Sequence, residues 1–410
     1  MDLKEAFEEL ELDICKAKEF SINDIENIFE KLLKKYQLEE KNDIPDYLKK
    51  LISDKLKKIN LAIKILKEDW SKNPERYSQE TLEEQFNKGI ECYKNEDYES
   101  AFYWFKKVAE TGNIRGQFGM GYLYQEGLGV EQNYKQAIYW YEKAAEQGHM
   151  HAQYNLGILY KRGLGVNQDY KEAFNYYEKA AEQGHMYAQY NLGEFYEMGL
   201  GMEKDYKKSF EWYKKSAEQG NKYSQEKIGE FYEKGLGMKQ NYKEALYWYK
   251  KVGENGDSII QYKVGEFYEK GLGTEQDYKE ALHWYKKSAE QNYPYASCKI
   301  GEFYEKGLGV EQDYKKAMKW YKDAAGIFSP EAEYKIGEFY EQGLGVKQDY
   351  IQAIKWYEDA ADNYSAEAKY RLGVIYEKGL GVEVWEDYAF YWYRSSIEQL
   401  LEEKSREKNK

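Results

Sequence analysis

Apolar, aromatic and small residues recur along most of this chain at the spacing of amphipathic helices. In residues 152–160 they stand three or four positions apart, on one face of a helix. Gly163-Leu164-Gly165 follows, and its glycines can adopt the positive φ that ends a helix. Asp169 then stands where a carboxylate would cap a second helix, which stops at Gly184. The pattern predicts a unit of two helices joined by a tight turn.

This unit repeats every 36 residues without a slip. The tripeptide Gly-Leu-Gly begins at Gly127, Gly163, Gly199, Gly235, Gly271, Gly307, Gly343 and Gly379. An aromatic column runs through Trp104, Trp140, Tyr176, Trp212, Trp248, Trp284, Trp320, Trp356 and Trp392. We interpret this column, with the alanines around it, as core. A further glycine recurs inside each first helix, where it costs about 0.5–1 kcal/mol, and therefore indicates a neighbour too close for a Cβ.

The repeated residues resemble the Sel1-like repeat (SLR) family, an α-solenoid relative of the tetratricopeptide repeats. The matching pattern is Ala-x-Tyr-x-Leu-Gly-x-x-Tyr, then Gly-x-Gly-Val, then Asp-Tyr-x-x-Ala-x-x-Trp-Tyr-x-x-Ala-Ala, in eight copies. The resemblance implies an all-α fold, a right-handed α-solenoid superhelix whose first helices line a concave groove. It also implies a non-catalytic scaffold or adaptor that assembles other proteins.

We divide the chain into four parts. Residues 114–402 hold the eight Sel1-like repeats. Residues 81–113 form a helix pair whose connecting loop is four residues shorter, and this pair resembles an ordinary tetratricopeptide unit. Residues 403–410 mix charges without an apolar anchor, and we expect a disordered tail there. Residues 1–80 form a separate N-terminal helical region.

The N-terminal region has a faint resemblance to a J domain over residues 20–68. A working J domain carries His-Pro-Asp, whereas this chain has Ile44-Pro45-Asp46 and no histidine before His149. The resemblance implies a degenerate J domain that has lost its co-chaperone activity, and a small helical bundle is the alternative. A degenerate J-domain cochaperone-type scaffold that holds client proteins is kept as an alternative function. One apolar stripe of this region comprises Leu51, Leu56, Ile59, Leu61, Ala62, Ile65 and Leu66.

Charge and composition exclude several classes of function. The formal net charge of −13 argues against a nucleic-acid partner, which needs a basic face. No apolar stretch approaches the length of a membrane span, and Met1-Asp2-Leu3-Lys4-Glu5 lacks the basic start of a secretory signal. Cys15, Cys92 and Cys298 form no metal or disulfide pattern. We expect a cytoplasmic protein that does not bind membranes, and the Lys-, Tyr-, Glu- and Ile-rich composition favours a bacterial source.

The sequence offers no catalytic constellation. It lacks a phosphate-binding loop and any signature pairing of nucleophile and base, so we expect no enzyme activity and no cofactor. His149, His151 and His185 could approach a shared metal ion, but His149 and His185 occupy equivalent turn positions, so we interpret them as solvated turn residues and predict no metal site. An enzyme with its active site in the N-terminal region is kept as an alternative.

Binding is the function that a helical repeat array favours. The relation to tetratricopeptide repeats implies that first-helix positions face the groove, and these positions are rich in tyrosine and glutamate. The candidate groove residues are Tyr154, Tyr190, Glu194, Glu230, Tyr262, Glu266, Glu302, Tyr334, Glu338 and Tyr370. A third column, nearer the start of each first helix, is also predicted to face the groove: Arg115, His151, Tyr187, Tyr223, Ile259, Tyr295, Glu331 and Glu367. Carboxylates beside aromatic faces suit a partner protein or peptide with a basic segment.

Two alternatives stay open at this point. The column glutamates could pair with lysines three residues earlier on the same helix, a pairing worth about 0.2–0.5 kcal/mol each. The ends of the array could also mediate self-association, with residues 1–80 or Leu400-Leu401 as caps.

Overall fold

The computed structural model describes residues 46–72, 81–327 and 329–408. The chain forms two compact units, residues 1–168 and 169–410. Every regular element of the described part is an α-helix. In the first unit these helices are α1 Asp46–Lys72, α2 Leu82–Lys94, α3 Tyr98–Glu110, α4 Ile114–Glu126, α5 Tyr134–Glu146 and α6 Met150–Arg162.

The described part of the second unit contains thirteen helices. They are α7 Tyr170–Glu182, α8 Met186–Met198, α9 Tyr206–Glu218, α10 Lys222–Lys234, α11 Tyr242–Glu254, α12 Ser258–Lys270, α13 Tyr278–Ala289, α14 Pro294–Lys306, α15 Tyr314–Ala325, α16 Pro330–Gln342, α17 Tyr350–Asp362, α18 Ala366–Lys378 and α19 Glu386–Lys408. From α2 onward the even-numbered helices are the first helices of repeats (A helices), and the odd-numbered helices are the second (B helices). This arrangement confirms the predicted all-α fold of helix-turn-helix repeats.

The helix boundaries follow from capping residues. Each B helix from α3 to α17 begins after an Asp or Asn whose side chain accepts a hydrogen bond from a backbone N–H of the first turn. Asp169 has this role at α7, as the sequence predicts. Each A helix from α4 to α18 ends at the first glycine of Gly-Leu-Gly, in the left-handed region.

The second glycine of Gly-Leu-Gly is required by a close contact with the backbone of the preceding B helix. Gly273 has φ +72°, and a Cβ on it would lie 2.4 Å from backbone atoms of Tyr242 and Lys243 at the start of the preceding B helix. The turn after each A helix therefore packs directly on backbone of the previous repeat. Only glycine satisfies both the positive φ and this close approach.

The glycine within each A helix faces an aromatic ring. A Cβ on Gly265 would lie 2.5 Å from the ring of Tyr285, which comes from the B helix of the same repeat. The same pairing recurs at Gly121, Gly193, Gly229, Gly301, Gly337 and Gly373 with the tyrosine twenty positions later. The prediction of a neighbour too close for a Cβ is confirmed, and that neighbour is a tyrosine ring.

The core differs in part from the predicted one. The alanine columns are buried, and so are Trp140, Trp248, Trp284 and Trp392, but the other residues of the tryptophan column are only half-buried. The most deeply buried aromatic column is one residue later: Tyr141, Tyr177, Tyr213, Tyr249, Tyr285, Tyr321 and Tyr357. Because adjacent residues of a helix lie 100° apart, the tyrosine points between the helices while the tryptophan covers the edge of that contact.

The structure differs from two sequence expectations about the C-terminal end of the array. Helix α19 continues to Lys408, so residues 403–408 are helical instead of forming the disordered tail expected for 403–410. Side-chain bonds four residues apart support this extension, from Arg394 to Glu398 and from Gln399 to Glu403. Leu400 and Leu401 are themselves exposed, and therefore do not act as a cap.

The N-terminal region is described only over residues 46–72. There α1 buries Ile59, Ala62 and Leu66, whereas Leu61 of the predicted stripe is 46% exposed. The J-domain-like residues before Asp46 lie outside the described part of the chain. The degenerate J domain and the helical bundle both stay predictions.

Replacing the glycine under a tyrosine ring tests the packing. We expect Gly265→Ala to lower the free energy of unfolding by about 1–3 kcal/mol, because the new methyl group overlaps the Tyr285 ring. Gly326→Ala is the matched control, since Gly326 has a helical φ of −62° and its nearest atom to a new Cβ is 3.5 Å away. Urea denaturation followed by circular dichroism measures both, and equal midpoints would contradict the packing argument.

Candidate functional site

The predicted tyrosines of the groove lie on the A helices and are partly packed. Tyr190, Tyr262 and Tyr334 are half-buried, and their ring centroids lie 5.6, 5.2 and 5.6 Å from those of Tyr213, Tyr285 and Tyr357. Tyr154 in the first unit is also half-buried. Tyr370 differs, with 54% of its surface exposed. Most of this column therefore contributes to the contact between helices and offers a partner only one edge of each ring.

Four of the five predicted glutamates are paired with lysines, and the fifth, Glu194, is half-buried. Glu230 lies 3.2 Å from Lys227 and 2.6 Å from Lys234 on the same helix. Burial raises the pKa of Glu230, but the hydrogen bonds and charges of these lysines outweigh it and hold the pKa below its usual range. The pairing extends to Glu266 with Lys270, Glu302 with Lys299 and Lys306, and Glu338 with Lys335. The predicted pairing with a lysine three residues earlier is thus present at Glu230, Glu302 and Glu338, whereas Glu266 pairs with a lysine four residues later.

A buried hydrogen-bond network that sequence reasoning missed lies beneath this surface. The Tyr285 hydroxyl donates to Glu269 of its own repeat, and Lys299 of the next repeat donates to the same carboxylate at 3.3 Å. We call each such set a tyrosine–glutamate–cation triad. Four further triads are Tyr213–Glu197–Lys227, Tyr249–Glu233–Lys263, Tyr321–Glu305–Lys335 and Tyr357–Glu341–Arg371.

The triads satisfy charges that would otherwise be costly to bury. The side chains of Glu197, Glu269, Glu305 and Glu341 are between 9% and 18% exposed, and each accepts a hydrogen bond from a tyrosine hydroxyl and forms an ion pair with a cation. Burial and the neighbouring carboxylate raise the pKa of each triad tyrosine, so the hydroxyls keep their protons. Each triad thereby compensates the charge of a largely buried carboxylate between two repeats.

The sequence did contain a signal for these triads. Tyrosine follows the tryptophan column directly, glutamate stands two residues before Gly-Leu-Gly, and Lys or Arg returns every 36 residues. In the first unit the glutamate position is Gln125, which accepts a hydrogen bond from Tyr141 at 3.1 Å. The ionic form of the triad accordingly belongs to the second unit.

His149 and His185 cap helices and are not the solvated turn residues that the sequence predicts. Nδ1 of His149 accepts a hydrogen bond from the Ala152 N–H at 3.2 Å, and its ring stacks on Phe118. His185 caps α8 in the same way and is buried. Burial and the charge of His151 lower the pKa of His149 to about 4. Among residues 46–72, 81–327 and 329–408, no group of three or more His, Cys, Asp or Glu side chains could hold a metal ion.

The third column provides the exposed part of the A-helix face in the second unit. Tyr187, Tyr223, Ile259 and Tyr295 are between 49% and 58% exposed, at the same position of successive A helices. We call these four residues the outer row. Glu226 lies one helical turn after Tyr223, and its pKa is raised by partial burial and, to a smaller extent, by the charges of Asp257 and Glu230.

Comparison with known proteins agrees with this architecture. A family model for the Sel1 repeat matches nine segments: residues 86–113, 114–149, 151–185, 187–221, 222–257, 260–293, 294–325, 330–365 and 366–399. The chain belongs to the Sel1 repeat family. The match includes 86–113, the pair that the sequence analysis set apart for its shorter loop. Sel1 repeat proteins are generally non-catalytic scaffolds for protein–protein interaction.

Two solved structures are similar over most of their length. A protective antigen of uropathogenic Escherichia coli with an SLR fold is 30% identical, covering 98% of this chain and 91% of that one, with a TM-score of 0.64. A Sel1 repeat protein from Oxalobacter formigenes is also 30% identical, over 78% of this chain and 91% of that one, with a TM-score of 0.60. A search of curated proteins returned no match. None of the described helices has the length and apolar character needed to span a bilayer.

Removing one triad hydroxyl tests its contribution to this Sel1 repeat protein. We expect Tyr285→Phe to lower the free energy of unfolding by about 1.5–3 kcal/mol, because Glu269 loses a donor while it stays partly buried. Tyr247→Phe is the control, since Tyr247 is 57% exposed and its loss should cost less than about 0.5 kcal/mol. Equal effects of the two changes on the urea midpoint would refute a stabilising triad.

The cap formed by His149 should make stability depend on pH. The pKa of His149 falls from an ordinary 6.5 to about 4 on folding, so between these values the unfolded chain binds more protons than the folded chain. This contribution to stability is complete above pH 6.5 and is lost as the pH falls toward 4. His149→Asn keeps a cap of the kind seen at Asn221. The denaturation midpoint of this variant should therefore depend less on pH between pH 4 and 6.5 than that of the unchanged protein. An unchanged pH profile in the variant would exclude this role for His149.

Proposed function

We propose that this Sel1 repeat protein is a non-catalytic scaffold that holds a partner protein through the A-helix face of its second unit. The observation that carries the proposal is the outer row, whose four residues are about half exposed at one position of successive A helices. Apolar and aromatic side chains exposed in register are suited to a partner that runs along several repeats. Tyrosine contributes a large ring and a polar hydroxyl to such a contact.

The column glutamates have a supporting role in this proposal. Glu230, Glu266 and Glu302 already bind lysines of their own helices, so a partner's cation would have to displace an existing pair. We therefore propose the main contact at Tyr187, Tyr223 and Tyr295, with a secondary contact at the glutamates.

The charge of the face supports a partner with a basic segment. The chain carries a net charge of −13, and carboxylates of Glu226, Glu331 and Glu367 lie on or beside the third column. Lys222 lies 5.0 Å above the Tyr223 ring, which shows the cation–π geometry that an incoming Lys or Arg could adopt on the other tyrosines. We also propose a cytoplasmic location, which the free thiols of Cys92 and Cys298 support.

A peptide selection tests this function. The full chain, immobilised, should enrich Lys- and Arg-containing peptides from a random displayed library, and the triple variant Tyr187→Ser, Tyr223→Ser, Tyr295→Ser should bind the enriched peptides at least about tenfold more weakly. The matched control removes three exposed tyrosines of B helices instead, Tyr103→Ser, Tyr139→Ser and Tyr247→Ser. Enrichment of acidic peptides, or equal loss in the two variants, would contradict the proposal.

A further inference from the structure

The last B helix, α19, passes straight through the position where the other B helices end. The turn after a B helix needs a residue with positive φ, such as Gly256 at +93°, Asn292 at +60° or Tyr364 at +66°. The equivalent position after Tyr364 is Leu400, which lies within α19. The chain from 402 to 408, which would begin the next A helix by the 36-residue period, therefore continues α19.

As a result, the side of α19 that would face a following A helix is uncovered. Ile397 is 59% exposed, whereas Ala361 and Ala217 at the same position of earlier repeats are 4% and 0% exposed. Leu400 is 44% exposed. A cavity of about 590 Å³ lies beside these residues, with Tyr370 and Tyr393 in its wall. We call Tyr370, Tyr393, Ile397 and Leu400 the C-terminal surface.

This surface contains a triad that lacks its cation. The Tyr393 hydroxyl donates to Glu377 at 2.9 Å, as the earlier triad tyrosines do to their glutamates. In the preceding repeat Glu341 also binds Arg371 of the next A helix, and its side chain is 9% exposed. Glu377 is exposed and forms no ion pair with another described residue. The Glu377 carboxylate can therefore bind a Lys or Arg side chain of a partner.

The first A helix, α2, is polar at positions where the later A helices are apolar, and α4 serves as the comparison. In α4, a Cβ on Gly116 would meet α3, and Met120 and Leu123 pack in the same core as Phe105 of α3. The corresponding positions of α2, 32 residues earlier, are Glu84, Lys88 and Glu91. A polar outer face of this kind is typical of a capping repeat. Stacking of α2 from a second copy onto the apolar C-terminal surface is therefore disfavoured.

We propose that the C-terminal surface is a docking site for one amphipathic helix of a partner protein, whose apolar face covers Ile397 and Leu400 and whose Lys or Arg binds Glu377. The interior repeats supply the template for this partner. Their A helices place a small residue such as Ala368 and an aliphatic residue such as Leu372 in the core, next to the basic residue that completes the triad. This site is separate from the outer row.

A synthetic peptide with the sequence of residues 365–381 tests the site, because it carries the A-helix residues, including Arg371. Titrated into the full-length protein and followed by fluorescence anisotropy and circular dichroism, it should bind in a 1:1 complex and gain helix. An Arg371→Gln peptide should bind about tenfold more weakly, because the ion pair with Glu377 is lost. In the protein, Glu377→Gln should produce a similar loss, and Ile397→Glu a larger one.

Three results would overturn the proposal. One is the absence of saturable binding by the peptide. Another is binding that Glu377→Gln and Ile397→Glu leave unchanged. The third is a dimer of the chain in sedimentation that Leu400→Glu dissociates, since a second copy would then occupy the surface. The outer-row variant Tyr187→Ser, Tyr223→Ser, Tyr295→Ser is the control: it should bind the peptide normally, so failure of this site and failure of the proposed function are distinguishable.

Discussion

In the B helices from α9 to α19, one tyrosine determines how the repeat packs. Its ring fills the space above the A-helix glycine, and its hydroxyl reaches a carboxylate at the end of the same A helix. The glycine is required because the ring lies too close for a Cβ, and an acceptor side chain at the end of the A helix is required because a buried hydroxyl needs a partner. A phenylalanine would fill the space but would leave the carboxylate with one donor fewer. The pairing therefore fixes three residue types at once.

The cation of the triad extends this constraint from one repeat to the next. Glu269 is 17% exposed, and its charge is compensated only when Lys299 of the following A helix is in place. Each repeat of the second unit thus depends on its successor for electrostatics as well as for apolar contact. In the first unit Gln125 replaces the glutamate, so the tyrosine keeps an acceptor without a buried charge. Loss of a successor is correspondingly costly, since it exposes apolar surface and leaves a carboxylate without its cation.

The sequence predicts the repeat, its period, its turns and its caps because each depends on local backbone chemistry. Gly127 and Asp169 do what their residue types require wherever helices end and begin. The core aromatic was harder to assign, because Trp284 and Tyr285 are neighbours of similar size, and only the rotation of the helix decides which one lies between the helices. The triads join residues 16 and 30 positions apart. Their members appear in the sequence as three separate repeated columns, and no local pattern indicates that these columns meet. The outer row could be located by its spacing, but its exposure could not.

The lysine pairs of the groove change what an acidic face can select. A glutamate bound to Lys234 on one side and Lys227 on the other presents little uncompensated charge, so Glu230 contributes mainly to the stability of α10. Exposed pairs of this kind contribute little energy, yet a partner must break them before it can use the carboxylate. The side chains of the outer row are not members of the triads, so these positions can vary without disturbing the network beneath. Separation of a fixed interior from a variable face is what allows one repeat to serve partners of different chemistry, and it places specificity in the residues that the fold constrains least.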